Sequence, residues 1–258
     1  IDPPRHRLLE NTLPSMAEAF RHGATMIEID VHRTSDDHLV VFHDWTLDCR
    51  TDGTGETRSR PLAYLRGLDL GHGYTSDGRT FPFRGQGRGL LRTFDEVLDA
   101  FPTGRFLVNQ KDGDPRTARL LGRALARLGP ARRGDVAYWG LEATFAELRR
   151  YASGIRKLTY TGQETIRCLA PALLLGLKRG LTAACRQHGF AVPLRHEALP
   201  PGWPEAILPE AASLGLPIYL AGVDTVADAA RAARLPVAGV ITDRIEIVGP
   251  LLSRVTAG

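Results

Sequence analysis

The sequence predicts an α/β fold, and specifically a (β/α)8 barrel formed by a single domain of residues 1–258. Short apolar, β-rich runs alternate with amphipathic stretches along the chain, which is the pattern of βαβ units around a parallel sheet. The 258 residues agree with the roughly 250 that such barrels use. An open Rossmann or flavodoxin-like sheet is the alternative, but no G-x-G-x-x-G motif lies at a strand–helix junction.

The elements follow from periodicity and from helix-start signals. Thr93 with Glu96 forms a capping-box pattern. Pro115 follows Asp114 as a first-turn proline would, and Thr225 can cap the last predicted helix. We predict strands over 26–31, 39–43, 105–110, 135–139, 157–160, 191–194, 217–221 and 239–242. We predict helices over 13–22, 93–101, 115–128, 144–152, 204–214 and 225–233.

Residues 44–91 interrupt the alternation, because they are rich in Asp, Gly, Thr and Arg and show helical periodicity only over 61–68. Long irregular segments in compact domains usually carry function, so we interpret 44–91 as an active-site excursion. The glycine-rich run 85–89 is predicted to be a flexible loop, with phosphate binding as the alternative. His72 and Tyr74 are interpreted as exposed loop residues, with substrate contact as the alternative.

Composition and charge exclude several classes of function. The chain carries 33 Lys and Arg against 29 Asp and Glu, and the basic residues are dispersed rather than concentrated in a patch with aromatics. We therefore expect no nucleic-acid partner, and an anionic small molecule fits better. The longest apolar run, 169–177, is shorter than the roughly 20 residues of a membrane span. A peripheral membrane contact through 169–181 stays open.

Two carboxylates lie on one face of the strand at 26–31. Alternation places Glu28 and Asp30 on the face opposite Ile27 and Ile29. If the apolar face packs on helices, the carboxylates point into the barrel, where they repel each other unless a cation is present. Oxygen ligands suit Mg²⁺ or Ca²⁺. The alternative is a carboxylate pair neutralised by arginines.

Two other strand ends carry polar groups. His43 follows a buried-type strand and has the near-neutral pKa of a general acid or base. Asn109 and Lys111 share a face at the end of the strand 105–110, where an inward-pointing lysine needs an anion. The amide oxygen of Asn109 could serve the same cation. Together these groups suit metal-assisted displacement at phosphorus, in which the cation and lysine hold phosphate oxygens while histidine moves a proton.

The motifs resemble those of the glycerophosphodiester phosphodiesterase (GDPD) family. Glu-Asn-Thr at 10–12, Ile-Glu-Ile-Asp-Val at 27–31, His-Asp at 43–44 and Arg-Thr-Asp-Gly at 50–53 match the family in order and spacing, and 239–243 resembles its last strand. The resemblance implies a phospholipase C-like barrel enzyme with a divalent cation. It assigns metal binding to Glu28 and Asp30 and acid–base chemistry to His43, and it aligns Asn109 and Lys111 on a Glu-x-Lys motif.

The chain departs from the family pattern at four places, which indicates a divergent branch. The family's other catalytic histidine opens a His-Arg-Gly motif, whereas His6-Arg7 lacks the glycine, so we expect that motif and the first strand upstream of Ile1. Asn109 replaces a metal-binding glutamate, which should weaken or retune cation binding. Lys111-Asp112 stands where Lys-Pro is common, and 221–223 read Ala-Gly-Val instead of Trp-Thr-Val.

The resemblance implies hydrolysis of glycerophosphodiesters to glycerol 3-phosphate and an alcohol. A related branch, the spider-toxin phospholipase D barrels, offers a second possibility, which is attack on lysophospholipids through a cyclic phosphate. The third is a non-catalytic barrel that binds phosphodiesters. The sequence leaves open the headgroup, the oligomeric state, and a cytoplasmic or exported location.

Overall fold

The computed structural model describes residues 6–159, 161–165, 167–168, 188–195, 205, 208–213 and 215–255. The chain divides into two compact units. The first comprises 1–20, 25–138 and 142–155, and the second comprises 21–24, 139–141 and 156–258. The single domain of residues 1–258 stays a prediction, because two such units can be halves of one domain.

The strands of the first unit are β1 (Ile27–Arg33), β2 (Leu39–Val41), β3 (Arg92–Thr93), β4 (Phe106–Gln110) and β5 (Val136–Trp139). Their order in the sheet is β3-β2-β1-β4-β5. Strand β1 pairs in parallel with β4, and this register sets Asp30 beside Asn109.

Strand β2 runs antiparallel to β1, and this departs from the parallel alternation expected from the sequence. Only residues 34–38 separate the two strands, too few for the crossover that parallel pairing requires. The turn closes through a 2.8 Å hydrogen bond from the Thr34 amide to the His38 carbonyl. Asp37 adopts a φ of 61°, which Asp tolerates better than most residues.

The helices of the first unit begin where the caps predict. The Thr93 side chain accepts a hydrogen bond from the Glu96 amide, and the Glu96 side chain accepts one from the Thr93 amide. Asp114 caps the helix that Pro115 opens. The helices are α1 (Leu13–Arg21), a 3₁₀ turn (Thr57–Ser59), α2 (Leu62–Arg66), α3 (Phe94–Ala100), α4 (Pro115–Ala126), α5 (Pro130–Gly134) and α6 (Glu142–Arg149).

The main core of the first unit lies on the apolar face of β1. Ile29 and Val31 are completely buried and cluster with Val108, Met16 and Leu121 from β4, α1 and α4. The alternation predicted for β1 is therefore observed, and its polar residues lie on the other face of the strand. This packing fixes the face from which the polar side chains of β1 project.

The excursion at 44–91 has a hydrophobic core of its own. Its buried residues are Leu47, Leu65, Leu68, Leu70, Tyr74, Phe83 and Leu91, joined by Leu9, Val40 and Phe42. Because this cluster connects the excursion to β2, the segment is a packed part of the first unit. The prediction that Tyr74 is an exposed loop residue is wrong, since only 4% of its surface is accessible.

The glycine-rich loop at 85–89 surrounds a buried carboxylate of the protein itself. Asp69 Oδ1 accepts hydrogen bonds from the amides of Gly71 at 3.1 Å and Gly87 at 2.8 Å, and Oδ2 accepts one from the Gly85 amide. A Cβ on Gly87 would lie 2.3 Å from the Gly71 nitrogen, so this close approach requires glycine. Asp69 therefore engages the Gly85 and Gly87 amides, which leaves neither of them to bind a phosphate.

Within its described residues, the second unit contains four parallel strands, which neighbour one another in chain order. They are β6 (Arg156–Leu158), β7 (His188–Pro193), β8 (Ile218–Ala221) and β9 (Gly239–Ile241), with helices α7 (Leu208–Ser213), α8 (Val226–Ala232) and α9 (Ile245–Val255). Phe190, Leu220, Ala229 and Val248 form part of its core. Thr225 caps α8 as predicted.

The stretch 169–181, for which a peripheral membrane contact stays open, lies outside the described residues. Within the residues that are described, no helix is long and apolar enough to cross a membrane.

Candidate active site

Asp30 is the buried centre of the candidate site. Its side chain lies at the sheet face of β1, and the residue is only 3% exposed. Asn109 Nδ2 donates a 3.0 Å hydrogen bond to Oδ1, and Asn11 Nδ2 donates one of 3.0 Å to Oδ2. Asn11 also accepts a 3.1 Å hydrogen bond from the Asp30 amide. Two amide side chains therefore fix the carboxylate in place.

Lys111 connects Asp30 to His43. Its Nζ lies 3.6 Å from Asp30 Oδ1 and 3.3 Å from His43 Nε2. When the imidazole is neutral, its Nε2 can accept a hydrogen bond from the ammonium group. When the imidazole is protonated, the two cationic donors repel each other, and an anion between them would satisfy both.

His43 forms a hydrogen-bonded pair with its neighbour in sequence. Its Nδ1 lies 2.6 Å from Asp44 Oδ1, so the carboxylate fixes Nδ1 as the donor and leaves Nε2 directed to Lys111. The hydrogen bond to Asp44 raises the pKa of His43 above its ordinary value, although burial and Lys111 oppose the shift. Asp44 therefore fixes the orientation and the tautomer of the His43 ring.

Arg50 holds the far side of Asp44. Its Nε donates a 2.8 Å hydrogen bond to Asp44 Oδ2, and its Nη1 donates one of 2.7 Å to the Tyr74 hydroxyl. The guanidinium also pairs with Glu10. Burial alone would raise the pKa of Asp44, but the hydrogen bond to His43 and the charge of Arg50 together lower it. Asp44 therefore stays ionised beside the imidazole.

The side chain of His32 contacts the backbone of the same segment. It is 1% exposed, and its Nε2 lies 3.2 Å from the His43 carbonyl oxygen. Desolvation by burial lowers its pKa. A buried neutral imidazole is therefore a structural partner of the backbone at His43 rather than a second acid–base group.

The predicted residues converge to different degrees. Asp30, Asn109, Lys111 and His43 are joined by the contacts described above. Glu28 is half-buried, two residues before Asp30 on the polar face of β1, and its register partner on β4 is Leu107. Glu28 therefore lies on the same face as Asp30, two residues nearer the N-terminal end of β1.

The donor set can be tested against a divalent cation. Asn109 Oδ1 is buried and makes no hydrogen bond to any described residue, so an unused oxygen lies beside the Asp30 carboxylate. No cluster of three or more His, Cys, Asp or Glu suited to a metal occurs among the described residues, and the third position here is an amide. The oxygen donors fit a hard cation in kind, with less negative charge than three carboxylates supply.

An open cleft of about 420 Å³ lies over the imidazole. Its lining combines a histidine, a carboxylate, a lysine and an exposed indole. The lining residues are His43, Asp44, Trp45, Thr46, Cys49 and Lys111. The cleft is therefore large enough for a small phosphodiester, and its lining includes cationic groups and an aromatic ring.

From the sequence alone, no role is assigned to Arg50, Asn11 and Glu10, and Tyr74 is interpreted as an exposed loop residue with substrate contact as the alternative. The first three lie in the motifs that carried the family resemblance, so position in a motif was their available signal. Tyr74 carried none, because no periodicity places a residue of an irregular segment beside an arginine 24 positions earlier.

Fold and site together define the class: an α/β barrel in which a histidine paired with a carboxylate, a lysine and oxygen donors lie at the ends of neighbouring strands. The comparisons agree. Residues 4–118 match the model of the glycerophosphoryl diester phosphodiesterase family. The chain is 36% identical over 100 residues to a glycerophosphodiester phosphodiesterase from Caldanaerobacter subterraneus subsp. tengcongensis. The aligned residues make up 39% of this chain and 38% of that protein. The resemblance to the GDPD family is confirmed over this part of the chain.

Solved structures extend the likeness to most of the chain. A glycerophosphodiester phosphodiesterase from Agrobacterium tumefaciens aligns with a TM-score of 0.68 at 22% identity, covering 93% of both chains. A phosphodiesterase from Oleispira antarctica, solved with the product sn-glycerol-3-phosphate, aligns with a TM-score of 0.69 at 16% identity, covering 96% of this chain and 92% of that one. This likeness shows the fold alone, and it confirms the predicted α/β barrel.

Proposed function

We propose that this protein hydrolyses glycerophosphodiesters to glycerol 3-phosphate and an alcohol, with His43 as its acid–base residue. The observation that carries the proposal is the orientation of His43, whose Nδ1 is held 2.6 Å from Asp44 Oδ1 while Nε2 lies 3.3 Å from Lys111 Nζ at the cleft. The family match over residues 4–118 supports the same reaction class.

In this reaction the oxygen of water forms a new bond to phosphorus, and the bond from phosphorus to the leaving alcohol breaks. His43 donates its Nε2 proton to the leaving oxygen as that oxygen takes the electron pair. Lys111 stabilises charge on the phosphate oxygens. The proton lost by water goes to a second acceptor, which the family resemblance assigns to the histidine of the His-Arg-Gly motif.

A divalent cation, Mg²⁺ or Ca²⁺, belongs to the proposal. Glu28, Asp30 and Asn109 would hold it through oxygen atoms, and the unpartnered Oδ1 of Asn109 supports this assignment. When bound, such a cation would polarise the phosphate oxygens. Without it, Lys111 is the charged partner of Asp30.

The test is turnover of a substrate panel by the full-length protein, followed by ³¹P NMR. The panel contains glycerophosphocholine, glycerophosphoethanolamine, glycerophosphoglycerol and lysophosphatidylcholine, each with Mg²⁺, Ca²⁺ or EDTA. We expect glycerol 3-phosphate as the product and loss of activity in EDTA. A cyclic phosphate from lysophosphatidylcholine would establish the phospholipase D-like alternative. Binding without turnover would establish the non-catalytic one.

Variants assign the residues. We expect His43→Ala to lower kcat by about a hundredfold to ten-thousandfold, the usual range for a general acid or base. Glu28→Ala and Asp30→Ala should remove cation-dependent activity. His38→Ala is the matched control, because His38 is an exposed histidine of the neighbouring turn. Near-normal turnover by His43→Ala would contradict the proposal.

A further inference from the structure

We propose that Trp45 forms a platform for an uncharged polyol group in the alcohol portion of the substrate. The inference deepens the proposed function, on which it rests, by naming the class of leaving alcohol. Its starting observation is that Trp45 is half-exposed, at 50%, although tryptophan is usually well buried. Of the exposed large hydrophobic residues in the described chain, Trp45 is the one that lines the cleft beside His43.

The indole is held in place from the protein side. The ring of His32 meets it edge-on, with ring centroids 5.8 Å apart and an interplanar angle of 72°. His32 is itself buried and lies against the His43 carbonyl. The orientation of the indole is therefore linked to the segment that carries His43, while half of its surface remains available to a ligand.

The backbone beneath the indole is anchored at several points. The buried Thr57 donates from its amide to the Trp45 carbonyl at 2.9 Å and from its hydroxyl to the Asp44 carbonyl at 2.9 Å. Thr46 forms a bridge to Glu56, and the Leu47 amide donates to the Gly55 carbonyl at 2.9 Å. A preorganised aromatic surface binds a ligand without the entropy cost of ordering a loop.

The charges of the cleft select among ligands for this surface. Asp44 is the one carboxylate among the six lining residues, and its two oxygens are engaged by His43 and Arg50. Lys111 and His43 add positive charge. Among these lining residues, a quaternary ammonium headgroup would find an indole face but no carboxylate without a partner, and it would meet the like charge of Lys111.

An uncharged polyol avoids this repulsion. Its C–H face can pack on the indole, and its hydroxyls can hydrogen-bond with the exposed side chain of Thr46, which also lines the cleft. Glycerol and cyclitol alcohols, as in glycerophosphoglycerol and glycerophosphoinositol, have this chemistry. We therefore assign Trp45 to polyol esters rather than to choline esters.

The test compares esters rather than absolute rates. For Trp45→Ala we expect the ratio of kcat/KM for glycerophosphoinositol to that for glycerophosphocholine to fall about tenfold, equivalent to about 1.4 kcal/mol. Trp45→Phe should retain most of the preference, because it keeps an aromatic face. Tyr151→Ala is the control, since Tyr151 is an exposed aromatic residue that does not line the cleft. An unchanged ratio in Trp45→Ala, or a larger loss for the choline ester, would overturn the assignment.

Calorimetry separates this inference from the proposed reaction. Binding of intact glycerophosphoinositol is measured with His43→Ala and with His43→Ala/Trp45→Ala, both of which retain uncleaved ester. We expect a Kd about tenfold higher in the double variant. Equal Kd values would overturn the platform. If the wild-type protein binds but cleaves no ester, and the Kd difference persists, the proposed function fails while the platform stands.

Discussion

The imidazole of His43 lies between a carboxylate and an ammonium group, and its chemistry follows from their opposing effects. Asp44 stabilises the protonated ring, whereas Lys111 disfavours it. Arg50 contacts the Asp44 oxygen that His43 does not use. We therefore interpret Arg50 as a positioning residue that acts on His43 through Asp44.

This interpretation predicts energetic coupling between Arg50 and Asp44. Asp44→Asn removes the charged acceptor and should lower the pKa of His43. In the pH–rate profile, the limb on which activity depends on protonated His43 should therefore shift to lower pH. Arg50→Met should reduce kcat in the wild-type background, but by much less in the Asp44→Asn background. We expect a coupling energy within the range of about 0.5–3 kcal/mol for contacting residues.

The cycle is measured from kcat/KM–pH profiles and from NMR titration of the His43 ring. Arg50→Lys is the conservative comparison, because it keeps one charge without the two-sided contact of guanidinium. Additive losses in the double variant would contradict this interpretation, because they would show that Arg50 and Asp44 act independently.

Asn109 supplies a second prediction at the residue scale. Asn109→Glu places a carboxylate beside Asp30, so the variant should have a lower Tm than wild type in EDTA because like charges repel. Added Mg²⁺ or Ca²⁺ should raise its Tm more than that of wild type. Differential scanning fluorimetry measures both, and Asn109→Gln controls for size. A cation-independent Tm in both proteins would argue against these residues as cation ligands.

Residues on strands were predictable in a way that residues of the excursion were not. Alternation along β1 and β4 orients Asp30 and Asn109, and parallel register then makes them neighbours. The partners of Arg50 depend on the path of an irregular segment, on which periodicity carries no information. The sequence therefore predicted that Asp30 and Asn109 are neighbours, and it did not predict the hydrogen bond from Arg50 to Asp44.

At the scale of elements, the excursion at 44–91 is stabilised by the buried carboxylate of Asp69, which accepts hydrogen bonds from backbone amides. Asp69 is 1% exposed and accepts hydrogen bonds from three glycine amides. The amides of Gly71 and Gly87 would otherwise be buried without a partner, which costs free energy. The loop at 85–89 therefore depends on one side chain.

Asp69→Ala should lower the free energy of unfolding by about 1–3 kcal/mol or more, since removing one partner leaves buried donors unsatisfied. Urea denaturation measures the loss, and limited proteolysis should cut near 85–89 faster than in wild type. Asp77→Ala is the matched control, because Asp77 also accepts from backbone amides but in an exposed turn. Equal effects of the two substitutions would contradict the role given to Asp69.

Element prediction succeeded where caps and length were informative. The capping box at Thr93 and the cap at Asp114 locate helix starts to within a residue. Strand β3 and helix α5 were missed because two and five residues are too few for a periodic signal. Helix α9 was also missed, although it has 11 residues. The antiparallel direction of β2 depends on a turn that alternation alone does not encode.

At the scale of the molecule, two histidines should shape stability in adjacent pH ranges. The folded-state pKa of His32 lies below 6.5, so below that pH the unfolded chain takes up a proton that the folded chain refuses. The folded-state pKa of His43 lies above 6.5, so its stabilising contribution is complete below that pH and is lost as pH rises through its folded value. Near neutrality, stability should therefore decline on both sides of about pH 6.5.

Urea unfolding from pH 5.5 to 8 tests this expectation. On the acid side the slope should approach at most about 1.4 kcal/mol per pH unit for one proton. His32→Gln should flatten that slope whatever its effect on absolute stability, and Asp44→Asn should flatten the alkaline one. A wild-type curve without a maximum between pH 6 and 7 would contradict the assignment.

The barrel class was predictable because alternation of strands and helices is a property of the whole chain. Single errors, such as the direction of β2, did not change that pattern. The single-domain organisation and the upstream first strand remain predictions.

The contacts that assemble the candidate site join residues from Glu10 to Lys111, a contiguous stretch inside the segment that matches the family. Local connectivity has an evolutionary consequence. Selection on these contacts acts on neighbouring codons, so relatives should remain recognisable by this stretch after other parts of the chain have diverged, which agrees with the family match to residues 4–118.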